Sequence, residues 1–341
     1  MNNSILNLQK AHDLMTKGKH NKAERVLKQL RREFPLWSEP TRLSGLNSLY
    51  QGQEAQALNF FKKLVSQSPD SADSYDLLGT ALMQANKFEQ ARDIYQKALS
   101  ISPQDARVYN NLGNAFRKLH NFEEAKSAYE SSLALRPNDN DTRLNYANIL
   151  HYLKSYVEAE SVYKALIKEN IDDPSVYVNL SSTLLFQHKI REALRVCDLG
   201  LGKFKNNVEL LFSKGHLLGA SEKLDESEKT LCQLLALDPQ NGAALQALSI
   251  HYFLQGRWSE AWEAYEARFI TGKVARRPFP YKMWEGQDLK GQKILVWGEQ
   301  GVGDEIMFAS MLPDLLRLGG DVHYETDPRL IPLLQRSFPE I

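Results

Sequence analysis

Residues 74–103, SYDLLGTALMQANKFEQARDIYQKALSISP, return 34 residues later, at 108–137, as VYNNLGNAFRKLHNFEEAKSAYESSLALRP. A fixed period of this length decides the architecture before any local propensity does, because each copy is one unit that buries its apolar face on its neighbours. With residues 72–105 as one unit, steps of 34 in both directions place eight units over 4–275 without an insertion. Position 8 of the units holds Ala11, Gly45, Gly79, Gly113, Ala147, Ser181, Gly215 and Ser249. Position 20 holds Ala23, Ala57, Ala91, Ala125, Ala159, Ala193, Ser227 and Ala261. Two small columns predict two antiparallel helices per unit whose backbones approach closely where the columns meet. Position 24 is bulky (Leu27, Phe61, Tyr95, Tyr129, Tyr163, Leu231, Tyr265) except at Cys197. Position 17 carries Phe88, Phe122, Tyr156, Ile190, Leu224 and Trp258, expected to fill the space between one helix pair and the next. Pro35, Pro69, Pro103, Pro137 and Pro239 stand at position 32, where a proline ends the second helix.

This pattern resembles the tetratricopeptide repeat, over about four fifths of the chain. The resemblance implies a mostly α fold, a right-handed superhelix of about eight helix pairs with a concave inner face. Cys197, at a core position, reads as a small buried hydrophobe rather than a reactive thiol. Cys232 has no His or Cys spacing that would hold a metal. The histidines form no ligand pattern, and His20, His120 and His188 fall at inter-helix turns, where solvated surface is the ordinary reading.

First-helix positions 2, 5, 6, 9, 12 and 13 are expected to face the groove. There the fourth unit places Asn111 and Asn114, the fifth Asn145 and Asn148, and the sixth Asn179. Asparagine is a poor helix former, so propensity does not explain its recurrence in mid-helix. A side-chain amide can donate to one peptide carbonyl and accept from one peptide N–H, so a row of them can hold an extended chain by its backbone. The ladder resembles that of the O-linked N-acetylglucosamine transferases, which implies binding of a peptide substrate. A second reading stands beside it: asparagines as ordinary occupants of a solvated helix face, since Leu43 and Leu46 fill the equivalent sites of the second unit.

After residue 275 the period ends, and RRPFPYKMWEGQDLKG reads as an extended connector within 276–292. KILVW, at 293–297, suits a buried parallel strand, and 298–303 is a glycine-rich turn. Residues 304–318 form an amphipathic helix pattern stopped by Gly319 and Gly320, and 321–325 read as a second strand. Asp327 and Pro328 look like the N-cap and first position of another helix. Strand, helix, strand and helix in that order make a small, incomplete Rossmann-like α/β segment over 293–341. Its glycine spacing is neither a dinucleotide fingerprint nor a P-loop, and Glu299, Asp304 and Glu305 oppose a phosphate, so a bound nucleotide is not expected.

KILVWGEQGVGDEIMFASMLPDLL, most specifically EQGVGDEIMF, resembles the C-terminal glycosyltransferase domain of bacterial tetratricopeptide-repeat proteins. That domain is similar to the heptosyltransferases and to the two-lobed GT-B arrangement. The resemblance implies an acceptor loop at Glu299, Gln300, Gly301 and Gly303. It also implies that Asp304 takes a proton from an acceptor hydroxyl attacking a nucleotide sugar. The other reading has Asp304 only capping its helix. A GT-B enzyme holds its nucleotide sugar in a second lobe, for which nothing remains after SFPEI, so no transfer is expected from these 341 residues alone.

Lys plus Arg and Asp plus Glu each number 42, a balance that argues against a general nucleic-acid binder. The charged and apolar fractions, 25% and 43%, suit a folded soluble chain. No run approaches the roughly eighteen apolar residues of a membrane span. The opening residues lack a signal-peptide core, and two cysteines fit a reducing compartment, so the expected location is cytoplasmic. The expected function is a protein-interaction scaffold whose groove binds peptide or protein partners, derived from the substrate-recruiting region of a glycosyltransferase. The alternative is the acceptor-binding part of an active glycosyltransferase. No cofactor or metal is expected in this chain, the nucleotide sugar being implied only for a longer relative.

Overall fold

The computed structural model describes residues 2–271, 277–299 and 301–341, in two compact units that divide between Asp238 and Pro239. Among the described residues the first unit holds seven antiparallel helix pairs. These are α1 (Asn2–Thr16) with α2 (His20–Glu33), α3 (Ser38–Tyr50) with α4 (Glu54–Gln67), α5 (Ala72–Gln84) with α6 (Phe88–Ile101), and α7 (Ala106–Lys118) with α8 (Phe122–Leu135). They continue as α9 (Asn140–Tyr152) with α10 (Tyr156–Lys168), α11 (Pro174–Phe186) with α12 (Ile190–Lys203), and α13 (Val208–Ala220) with α14 (Leu224–Leu237).

Two polar columns punctuate these pairs. Ser71, Asp105, Asp139, Asp173 and Asn207 stand just before successive first helices, and each side chain accepts a backbone N–H of the first turn. At the turn inside each pair one residue takes a left-handed φ: Gly18, Gly52, Asn86, His120, Lys154, His188 and Glu222, all between +55° and +68°. The N–H of that residue and of the next return to the end of the first helix, as in Asn86 N to Met83 O (3.1 Å) and Lys87 N to Leu82 O (2.9 Å). His120 and His188 are therefore turn residues. His20 instead opens α2, with Nδ1 2.9 Å from Asn47 Oδ1. Lysine is disfavoured in the left-handed region and glycine is not, so Lys154→Gly raises the stability of the array by about 0.5–1 kcal/mol. A urea midpoint that does not rise speaks against this account of the turn.

The small columns seat the large one. A Cβ on Gly79 would stand 2.5 Å from the Tyr95 ring, on Gly113 2.6 Å from Tyr129, and on Gly215 2.7 Å from Leu231; Gly45 meets Phe61 in the same way. Position 8 thus faces position 24 of its own unit. The sixth unit, with the larger Ser181, has the smaller Cys197 opposite, whose thiol burial raises to about 11. Phe122 stacks on Tyr152 of the next pair (5.2 Å, 5°) and Tyr156 on Phe186 (5.5 Å, 10°). Trp258, expected to fill such a space, is instead 62% exposed, because its pair is the last before the period ends.

The second unit begins with the eighth pair, α15 (Gly242–Leu254) and α16 (Trp258–Tyr265), and a 3₁₀ turn at Glu266–Phe269. Then come β1 (Lys293–Trp297), α17 (Val302–Phe308), a 3₁₀ turn at Ala309–Met311, α18 (Leu312–Arg317), β2 (Asp321–Glu325) and α19 (Ile331–Ser337). The strands pair in parallel, Ile294 opposite Val322 and Val296 opposite Tyr324, over a core of Leu289, Ala309, Leu312, Leu315, Val322, Leu330 and Leu334. Three expectations are corrected here. The single helix over 304–318 is interrupted by the 3₁₀ turn, and Pro313 begins a new helix where its missing N–H is tolerated. The last helix starts at Ile331 with Pro332, not at Pro328. The Asp327 N–H donates to Glu305 Oε2 (3.0 Å) while its carboxylate accepts from Arg329, which holds 327–330 as a turn. β1 is half-buried with Leu295 exposed, since its sheet has only two strands among the described residues.

Candidate functional site

In the first unit α5, α7, α9 and α11 lie side by side, and each of the last three donates an asparagine hydrogen bond to the one before it. Asn111 Nδ2 donates to Asp76 Oδ1 (2.8 Å), Asn145 Nδ2 to Asn110 Oδ1 (3.1 Å) and Asn179 Nδ2 to Asn148 Oδ1 (2.8 Å). Asp76 is only 3% exposed. Burial raises its carboxyl above the ordinary range, opposed by the Asn111 hydrogen bond and by Arg107, whose Nε is 3.4 Å away.

Position 9 answers a different demand. Tyr129 Oη donates to Asn114 Oδ1 (2.8 Å) and Tyr163 Oη to Asn148 Oδ1 (2.6 Å), while Tyr95 Oη lies 3.3 Å from Thr80 Oγ1. Burial pushes the Tyr129 phenol up to about 12 and raises those of Tyr95 and Tyr163 as well, so each ring keeps its proton and needs an acceptor. Phe61, with no hydroxyl, belongs to the unit with Leu46 at position 9.

The five predicted asparagines therefore come together on neighbouring helices, each half-buried and each half used. Among the described residues Asn114 Nδ2, Asn148 Nδ2 and the Oδ1 atoms of Asn111, Asn145 and Asn179 take no protein partner. Beside them Tyr152 and Phe186 are each 56% exposed. Asp76 and Asn110, the internal partners, went unread in the sequence, although polar residues at position 5 one unit before an asparagine at position 6 are their signal.

The second unit contains a cleft of about 700 Å³ lined by Phe253, Trp262, Tyr265, Trp297, Phe308 and Tyr324, with Arg268, Glu299, Asp304 and Glu305 among its polar residues. Glu299 is held by Arg268, with Nε to Oε1 2.5 Å and Nη2 to Oε2 3.1 Å. Glu305 is buried and accepts from Thr326 Oγ1 (2.6 Å) and Asp327 N (3.0 Å). It lies so close to Gly298 that a Cβ there would stand 2.5 Å from its Cδ. Asp304 is half-buried in the first turn of α17, whose N-cap residue is Gly301 with no side-chain cap, so Asp304 is a first-turn carboxylate and not the N-cap itself. Gly301 and Gly303 are exposed beside it, and Gln300 lies outside the described residues. Among the described residues no three His, Cys, Asp or Glu side chains gather to hold a metal, and no helix is long and apolar enough to cross a membrane.

Family models described as tetratricopeptide repeat match residues 43–71, 70–138, 110–174 and 212–273, together more than half of the chain. A curated relative, Protein FlbA of Caulobacter vibrioides, is 38% identical over 143 residues, 38% of this chain and 24% of that protein. The chain thus spans about a quarter of the length of this relative. Among solved structures, a tetratricopeptide repeat protein of Parabacteroides merdae is 17% identical with TM-score 0.59, covering 74% of this chain and 99% of that one. PilF of Pseudomonas aeruginosa is 18% identical with TM-score 0.53, covering 61% and 94%. The Cut9–Hcn1 assembly of the APC/C is 16% identical with TM-score 0.56, covering 79% and 53%. At these identities the likeness is one of fold. Matched repeats over more than half its length, and helix pairs that keep the same period, make this chain a member of the tetratricopeptide-repeat family.

Proposed function

We propose that the chain is a protein-interaction scaffold that holds an extended peptide by its backbone across α7, α9 and α11. The observation that carries this reading is the half-used amide. Each asparagine spends one end of its amide inside the protein, which fixes its orientation, and leaves the other end on the face. Two free donors and three free acceptors suit an extended chain, which carries an N–H and a C=O at each residue. Tyr152 and Phe186 beside them offer rings to an apolar side chain.

The internal bonds decide which variants test the reading. Alanine at Asn111, Asn114 or Asn148 would strip Asp76, Tyr129 or Tyr163 of a partner at about 1–3 kcal/mol each, so lost stability would masquerade as lost binding. Asn145 and Asn179 are the cleaner pair, because Asn148 still accepts from Tyr163 when Asn179 is gone. Peptides selected from a displayed random library on the unaltered protein are expected to bind Asn145→Ala/Asn179→Ala about tenfold more weakly, with little change in melting temperature. Equal affinity for a folded double variant removes the reading. A second reading, Asp304 as base for an acceptor hydroxyl in a glycosyltransferase, draws on the position of Asp304 on the wall of the cleft.

A further inference from the structure

The unit 239–341 already recognises guanidinium groups twice with its own residues. Arg268 lies 4.6 Å from the ring centre of Tyr265 and 4.1 Å from that of Phe269, and pairs with Glu299 and with Glu266 (2.7 Å). Arg277 lies 4.9 Å from the ring of Phe279 and 5.2 Å from that of Trp297, and pairs with Glu325 at 2.6 Å. In both places aromatic faces and a carboxylate act on one planar cation, the arrangement in which ring quadrupole and ion pair reinforce each other.

The cleft repeats that composition, with one carboxylate more than its own arginine engages. Trp262, Trp297, Phe308 and Tyr324 supply ring surface, with Trp262 and Phe308 open to solvent. Its charged lining sets Arg268 against Glu299, Asp304 and Glu305, and Arg268 is already paired with Glu299. Glu305 is occupied by Thr326 and the Asp327 N–H. Among the described residues the Asp304 side chain has no hydrogen-bond or ion-pair partner.

We propose that this cleft binds a guanidinium group, the side chain of arginine, with Asp304 as its counter-ion and the Trp262 and Trp297 rings as its faces. A sugar ring also stacks on indole, but its hydroxyls need several free donors and acceptors converging on them. Glu299 and Glu305 are engaged, so of the three carboxylates in the cleft Asp304 alone is left to read a ligand, and one open carboxylate among rings favours a cation. Arginine fits better than lysine because its flat, weakly hydrated head stacks on rings while it pairs with a carboxylate. The inference rests on the cleft and is independent of the asparagine face.

The test titrates the full chain with N-acetylarginine amide, with the uncharged citrulline compound of the same shape, with the peptide Gly-Arg-Gly and with N-acetylglucosamine, read by calorimetry and by indole NMR signals. The arginine compound is expected to saturate and to bind about tenfold or more tightly than the citrulline compound. Asp304→Asn is expected to remove that preference and leave citrulline binding as it was, while Trp262→Ala weakens both. Binding of the free compound and the peptide alike places recognition in the side chain, and binding of the peptide alone points to a protein source of the same group. Equal binding of arginine and citrulline by the unaltered protein overturns the proposal whether or not the variants fold. So does saturation by N-acetylglucosamine in place of arginine, which instead supports the hydroxyl-acceptor reading of Asp304.

Discussion

Replacing Tyr163 with alanine lowers the unfolding free energy by about 3–5 kcal/mol, measured by guanidinium denaturation followed through the helical circular dichroism. Tyr163 is 0% exposed and belongs to the core of Ala147, Leu150, Ala159, Leu166, Val176, Tyr177 and Leu180, which spans the fifth and sixth pairs. Truncation therefore opens a cavity walled by helices that cannot all close on it, since α9 and α10 are held by their packing on both neighbours. Stability in a repeat array is close to a sum of unit and interface contributions, so weakening one interface also loosens the coupling between the halves it joins. The transition is expected to broaden as well as to shift. Tyr163→Phe separates the hydroxyl from the ring: it costs about 1 kcal/mol, because Asn148 Oδ1 keeps its bond from Asn179 and is not orphaned. A loss under about 1 kcal/mol for the alanine variant would show that the site collapses and that the ring is not what holds the two pairs together.

The helix pairs were legible because their cause is periodic. Position 8 and position 20 must be small for backbones to meet, and a requirement repeated every 34 residues stands out from any single unit. The left-handed turn position was not legible as a column. Gly18 and Gly52 announce it, but Lys154 and Glu222 satisfy the same φ with residues that carry no turn signal. The asparagine face was half legible. Its position 6 and position 9 columns show in the sequence, but their hydrogen bonds join residues 15, 31 and 35 apart, and only the fold brings those together. In the first unit of the fold position 9 follows the chemistry of position 24 in part of the array, with Asn114 for Tyr129, Asn148 for Tyr163 and Leu46 for Phe61, whereas the eighth repeat sets Ile250 with Tyr265. In the second unit two proline-marked starts compete within TDPRLIP, and local rules favour the first, which has an aspartate before its proline. The buried Glu305 carboxylate claims Asp327 and hands the helix to Pro332, a choice made by a residue more than twenty positions upstream.

The complementarity of positions 8 and 24 predicts a compensated pair. Gly113→Leu alone costs about 3 kcal/mol, because the first carbon of the new side chain already lies 2.6 Å from Tyr129 Cε1 and the rest must enter the same space. The gain in helix propensity over glycine, about 0.8 kcal/mol, offsets only part of this. Tyr129→Ala alone costs about 3–5 kcal/mol by the same cavity argument as Tyr163. Combined, the leucine grows into the cavity the ring has left, and the double variant is expected to be about as stable as Tyr129→Ala, a coupling of about 3 kcal/mol. Strict additivity would mean that the two columns do not share one volume. The chain contains its own version of this trade in Ser181 with Cys197 and in Gly215 with Leu231. The double variant also releases Asn114 from the Tyr129 hydroxyl while restoring the packing around it. Peptide capture by a protein so repaired therefore measures what orientation of that amide contributes to the face, apart from the stability of the helices that carry it.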